Sequence, residues 1–147
     1  MSAGIRIHID GASRGNPGAA AYGVLVESDD GEPLASFSKA LGTATNNFAE
    51  YQALMAALEY ALKHEHRRVR IYSDSELLVR QLEGRYRVKS PVLKLLHERA
   101  MKMVRQLEAF SVTHVPREQN READRLANRA LDAQRSPART PESGVAG

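Results

Sequence analysis

The sequence predicts a mixed α/β domain, and three observations carry that prediction. Ile5-Arg6-Ile7-His8-Ile9 alternates apolar and polar residues, the period of a half-buried strand. The period lengthens to three and four residues at Phe48, Tyr51, Met55, Leu58 and Leu62, the spacing of a helix. Strand-type runs then return at Val69–Ser73 and Phe110–Val115, separated by helical stretches, so helices must cover a sheet.

Taken in order, the first strand runs from Ile5 to Ile9 and stops at Asp10. Gly11 to Gly18 reads as a turn-rich loop with Asn16-Pro17-Gly18 at its tip. Tyr22–Glu27 is a second strand, Asp29-Asp30-Gly31-Glu32 a hairpin turn, and Leu34–Leu41 a third strand opposite the second. A helix is expected from Asn47 to His64, a strand over Val69–Ser73, and a short helix from Glu76 to Leu82. Gly84 to Ser90 breaks that helix, and Pro91 suits the first turn of the next, which extends to about Leu107. Phe110–Val115 is the fifth strand and Asn120 to Ala133 the last helix. Consecutive strands one to three should form an antiparallel meander, and strands four and five, reached through helices, should lie parallel to strand one. Residues 1–133 are thus read as one domain, and 134–147, rich in Pro, Ser, Gly and Ala, as a disordered tail.

Composition narrows the chemistry. The 147 residues include no cysteine, which excludes thiolate metal sites, cysteine nucleophiles and disulfide scaffolds. The first residues, Met1 to Arg6, reach a charge too soon for a signal peptide. No apolar run approaches the roughly 20 residues that cross a bilayer, so a cytoplasmic protein without membrane partners is expected. Net charge is +3. Between positions 80 and 105, Arg80, Arg85, Arg87, Lys89, Lys94, Arg99, Lys102 and Arg105 face only Glu83 and Glu98. Such a stretch is either a solvated helix face and loop or a surface for a polyanion.

Carboxylates are the candidate chemistry. Asp10 and Asp74 end strands one and four, and ligand groups gather at the carboxyl ends of parallel strands. Glu50 lies one turn into the first long helix on the stripe of Leu54, Ala57 and Ala61, and Asp124 lies in the first turn of the last helix. Oxygen ligands without His or Cys suit Mg²⁺ or Mn²⁺. Each acid also has a plainer role open to it: an Asx turn at Asp10, a capping box from Asn47 to Glu50, an N-cap at Asp74, a dipole partner at Asp124.

Four segments resemble the type 1 ribonuclease H family. They are Ile9-Asp10-Gly11-Ala12-Ser13 with Gly15-Asn16-Pro17-Gly18, Thr45-Asn46-Asn47-Phe48-Ala49-Glu50, Tyr72-Ser73-Asp74-Ser75, and Asn120-Arg121-Glu122-Ala123-Asp124-Arg125-Leu126-Ala127. They occur in the family's order across roughly residues 4 to 131. The resemblance implies the ribonuclease H-like fold, a five-stranded mixed sheet of order 3-2-1-4-5 flanked by helices. It implies that Asp10, Glu50, Asp74 and Asp124 hold two Mg²⁺ ions with substrate bound, Mn²⁺ substituting. The activity implied is endonucleolytic hydrolysis of the RNA strand of an RNA–DNA hybrid to 5′-phosphate and 3′-hydroxyl ends, by a monomer. By position, Gly11, Ser13, Asn16, Asn46 and Asn47 would meet the minor groove and RNA 2′-hydroxyls, and Thr45 and Ser75 a phosphate of the DNA strand.

Two departures accompany the match. The Trp-rich basic projection of many relatives shrinks here to Gly84-Arg85-Tyr86-Arg87-Val88-Lys89-Ser90, as in the compact subgroup. The loop Val115-Pro116-Arg117-Glu118-Gln119-Asn120 carries no His where many relatives hold a mobile catalytic one. His114 is assigned to the strand, and Arg117 or Glu118 to an auxiliary part in product release. The rival readings are another nuclease of this fold, such as a junction resolvase or an exonuclease, and a non-catalytic nucleic-acid-binding module.

Overall fold

The computed structural model describes residues 4–134. β1 (Ile5–Gly15), β2 (Gly18–Ser28) and β3 (Pro33–Ala44) are followed by α1 (Asn46–Lys63), β4 (Arg68–Ser73), α2 (Glu76–Leu82), α3 (Pro91–Val104), β5 (Ala109–His114) and α4 (Arg121–Gln134). One turn of 3-10 helix, Arg117–Gln119, leads into α4. The sheet order is β3-β2-β1-β4-β5, with β1–β2 and β2–β3 antiparallel and β1–β4 and β4–β5 parallel, as expected. The predicted tail lies outside the described residues except for Gln134, which closes α4. Among the described residues no helix is long and apolar enough to cross a membrane.

One expectation fails. The turn read over Gly11–Gly18 is mostly strand: β1 continues to Gly15 and pairs with β2 down to Gly15↔Gly18, leaving Asn16-Pro17 alone at the tip, joined to each other by a cis peptide. Glycines and Asn-Pro signal a turn locally, but a partner strand supplying a full ladder of hydrogen bonds overrides that preference. The loop is a hairpin two residues long at its end, with Gly15 at φ +101° providing the reversal.

Side chains alternate between two faces. Ile5, Ile7 and Ile9 of β1, Val24 and Val26 of β2, and Val69 and Ile71 of β4 point to one side, where Tyr51, Leu54, Leu58 and Ala61 of α1 bury against them. Of the expected stripe, Tyr51 and Leu58 are buried and Phe48, Met55 and Leu62 only partly so, because the face turned to the sheet is centred on Leu54, Ala57 and Ala61. α4 covers the opposite face over β2, β3 and the near side of β1. Its buried stripe, Ala123, Leu126, Ala127 and Leu131, repeats at the three- and four-residue steps of an amphipathic helix.

Candidate active site

Asp10 faces α4 by the alternation of β1, and two glycines bring the surrounding elements onto it. A Cβ on Gly11 would lie 2.3 Å from the Glu50 backbone nitrogen, so only glycine lets the start of α1 descend on the strand. Gly23, directly opposite Asp10 on β2, does the same for α4: a Cβ there would lie 2.3 Å from the Ala123 carbonyl oxygen. α4 is further tied down by Asn120, whose buried side chain donates to the Ile9 carbonyl at 2.8 Å, one residue before Asp10.

The helix starts explain the remaining acids. Thr45, not Asn47, caps α1, its hydroxyl accepting from Phe48 N at 3.1 Å, and Ser75, not Asp74, caps α2, accepting from Leu78 N at 3.2 Å. Glu50 accepts instead from the Gly11 N–H, 3.1 Å away on β1. Two of the plainer roles therefore fall to other residues, and the third does not arise, since Asp10 lies in continuous strand and not in a turn.

Oxygens of Asp10, Glu50 and Asp74 lie within 4.8 Å of one another. Asp124 closes the group, since it lines the same cleft and its charge adds to those that raise the Asp10 carboxyl. Asp10 and Glu50 are only 4% and 3% exposed, so their charges are not dispersed by water. Burial, then Glu50 and Asp74, push the Asp10 carboxyl up from its ordinary 3.8 to about 10. Burial and Asp74 raise Glu50 to about 8 despite the Gly11 hydrogen bond, and burial raises Asp74 although Arg117 opposes it. The nearest cation, Arg117, stands 4.0 Å from Asp124 and is largely exposed, too little charge for four acids. An oxygen-only cluster this short of positive charge fits a hard divalent cation, and Asp10, Glu50 and Asp74 can hold one.

These acids line an open cleft of about 420 Å³ together with Gly11, Ser13, Asn46, Ser75 and Arg117. The other predicted residues sit around it. Asn16 accepts from Asn46 N at 2.9 Å and so braces the hairpin tip against α1. Ser13 is bonded to the Ala44 carbonyl at 3.0 Å and lies against the Gly15 carbonyl. Asn47 lines a neighbouring groove with Gln81, Arg85, Tyr86, Arg87 and Lys89, its side-chain oxygen buried and without a partner. Thr45 acts as the α1 cap; Glu118 and His114 are exposed and lie outside the cleft.

Gly23 and Asn120 carry positioning work that no role had been given in the sequence. An isolated glycine between Tyr22 and Val24 in a strand was the available signal for the first. Arg14 and Asn128 also line the cleft, Asn128 donating to Asp124 Oδ1 at 3.2 Å.

Comparison with known proteins agrees with this geometry. Residues 8–130 match the family described as Reverse transcriptase-like. Ribonuclease HI of Halobacterium salinarum is 45% identical over 88% of this chain and 66% of its own length. A bifunctional protein of Mycobacterium tuberculosis is 44% identical over 86% of this chain but 35% of its own length, so the chain spans only part of these relatives. Among solved structures, the Halobacterium salinarum RNase H1 superposes with a TM-score of 0.85 at 43% identity, covering 88% of this chain and 98% of that one. LC11-RNase H1, solved in complex with an RNA/DNA hybrid, superposes at 0.85 with 39% identity, covering 90% and 99%. With the family match spanning nearly all of the described fold, the chain belongs to the Reverse transcriptase-like family, in its compact type 1 ribonuclease H form.

Proposed function

We propose that the protein hydrolyses the RNA strand of RNA–DNA hybrids as an endonuclease, leaving 5′-phosphate and 3′-hydroxyl ends. The observation that carries the reading is the convergence of Asp10, Glu50, Asp74 and Asp124, from four separate segments, on one cleft short of positive charge. Two Mg²⁺ ions, for which Mn²⁺ can substitute, would supply activation of the attacking water and stabilisation of the leaving 3′ oxygen. Asp10, flanked by the other three acids, would share in holding the ions. Glu50 is oriented by the Gly11 N–H and Asp124 by Asn128, so neither carboxylate has to be ordered when a cation arrives.

Substrate contacts are assigned by position. Main-chain groups at Gly11 and Ser13 and the Asn46 side chain border the cleft, where RNA 2′-hydroxyls distinguish the strand to be cut. Asn16 acts by holding Asn46. Asn47 borders the adjoining basic groove, which would take the DNA strand. The cap hydroxyls of Thr45 and Ser75 accept from helix N–H groups and retain a proton to give to a phosphate. Arg117, within reach of Asp124, or Glu118, exposed on the same turn, would assist product release. The same reading makes the protein a cytoplasmic monomer.

The test is cleavage of a labelled RNA–DNA hybrid beside RNA duplex and DNA duplex in a metal titration. Cleavage of the hybrid's RNA strand that requires Mg²⁺ or Mn²⁺ and vanishes in Asp10→Asn is expected. Metal-independent cleavage, or preference for either homoduplex, would overturn the assignment.

A further inference from the structure

The sheet face that carries α4 is only partly covered, and what lies beyond the helix is ordered in rows. On this face β4 presents Arg68, Arg70 and Tyr72 in a column that leads to Asp74, and the edge strand β5 presents Ala109, Ser111 and Thr113 beside it. Register places Arg6, Arg70 and Ser111 in one row and His8, Tyr72 and Thr113 in the next, with Asp10 following on β1. Rows two residues apart are about 7 Å from each other, so the aromatic row adjoins the carboxylates directly.

Within the aromatic row, His8 and Tyr72 stack with centroids 5.1 Å apart and planes 21° from parallel, His8 being held by Glu27 at 3.1 Å. Neighbouring strands are spaced by about 4.8 Å, so the next position in this stack stands over Thr113. Thr113 is short and exposed, as are Ser111 and Ala109. The result is a shallow trough floored by small side chains and walled by the free face of the Tyr72 ring. Its acids are already matched: Glu27 to His8, Asp29 to the Gly4 N–H at 3.0 Å, Glu108 to Arg68 at 2.9 Å. Arg70 is exposed and has no ion-pair partner among the described residues, while Arg6 has only the Ser28 carbonyl, 3.4 Å away.

We infer that this trough binds single-stranded RNA continuous with the cleaved strand, one base extending the His8–Tyr72 stack above Thr113 and the following phosphate meeting Arg70. The chemistry is that of a stacking platform with a cation beside it, which accepts any base because every base offers a flat face. The inference rests on the hydrolase reading for the identity of the strand, and it gives that strand a path away from the cleft.

The experiment measures, by fluorescence polarisation in EDTA so that nothing is cut, the affinity of the full chain for an RNA–DNA duplex with blunt ends and for one whose RNA strand is extended as a single strand. The extension should tighten binding about tenfold, Tyr72→Ala should abolish the gain and Tyr72→Phe retain it. Arg70→Glu should weaken binding to the extended duplex only. Thr113→Trp, on the exposed edge, should fill the stacking position and remove the gain even if Tyr72→Ala disturbs the sheet. No tightening by the extension, a gain that survives both Tyr72→Ala and Thr113→Trp, or an equal gain from extending the DNA strand would each overturn the inference. Cleavage of the blunt hybrid in Mg²⁺ separates the two readings: cutting without any gain from the extension leaves the hydrolase and removes the platform, and a Tyr72-dependent gain without cutting does the reverse.

Discussion

Asp10 sits where two backbones come within van der Waals reach, and that crowding sets both its chemistry and its cost. In the metal-free protein its carboxyl is raised to about 10 and that of Glu50 to about 8, from ordinary values of 3.8 and 4.5. Between the ordinary and the raised values the folded chain binds more protons than the unfolded one, so stability must fall as pH rises through that window. Thermal unfolding in EDTA should therefore show a lower midpoint at pH 8.5 than at pH 5.5, the reverse of a salt-bridged carboxylate. Asp10→Asn removes the charge and should raise the alkaline midpoint while abolishing any gain from added Mg²⁺. A midpoint that climbs from pH 5.5 to 8.5 would contradict the burial argument. The glycines give a complementary prediction. Gly11→Ala forces a methyl to 2.3 Å from backbone that cannot swing away, and overpacking of this kind costs about 1–3 kcal/mol. A denaturant-unfolding free energy lowered by that amount is expected, with a correspondingly lower midpoint; unchanged stability would mean that α1 can retreat freely.

At the level of elements, the sequence was most informative where its period was strong. The strands at β1, β2, β4 and β5 and every long helix were legible because burial on one face imposes an alternation or a stripe. The helix-start chemistry was less so: Thr45-Asn46-Asn47 offers three capping residues in succession, and the choice of Thr45 depends on the Asn16 side chain arriving from another hairpin to take Asn46 N. The Gly11–Gly18 segment has the local composition of a turn, and its pairing with β2 is a long-range fact that composition does not carry. The four carboxylates were found through the resemblance more than through spacing, since each acid alone had an ordinary explanation. Asn120 shows what remained hidden: its side-chain hydrogen bond to the Ile9 carbonyl docks α4 next to Asp10 across 111 residues of chain. Loss of a buried hydrogen bond with its acceptor left unpaired costs about 1–3 kcal/mol. Asn120→Ala should lower stability by that much and reduce turnover more than it weakens hybrid binding, because Asp124 rides on the same helix. Equal loss of binding and turnover would assign Asn120 to the interface instead. Arg117 lies on the adjoining 3-10 turn with its guanidinium turned towards Asp124. Arg117→Ala should slow multiple-turnover cleavage; an unaltered rate would remove it from the mechanism.

For the molecule as a whole, charge is divided between two neighbouring depressions. The cleft gathers acids and must draw cations, whereas the groove beside it, between α2, the 83–90 loop and α3, is bordered by Arg85, Arg87 and Lys89. That groove is held in shape from beneath: Tyr51 of α1 donates to Gln81 of α2 at 2.8 Å, and Gln81 in turn reaches the Arg87 carbonyl at 3.4 Å. The 83–90 loop is therefore anchored to the core. For the proposed hybrid substrate a net charge of only +3 is small, so affinity is expected to come from this local excess and to depend steeply on salt. Each phosphate contact removed should lower the slope of log affinity against log salt by about 1. Replacing Arg85, Arg87 and Lys89 together by Ala should flatten that slope, raise KM and leave kcat near its original value at saturating hybrid, because none of the three borders the carboxylates. A slope that does not change would place the DNA strand on some other surface, whereas a fall in kcat at saturation would mean that the groove also positions the scissile phosphate.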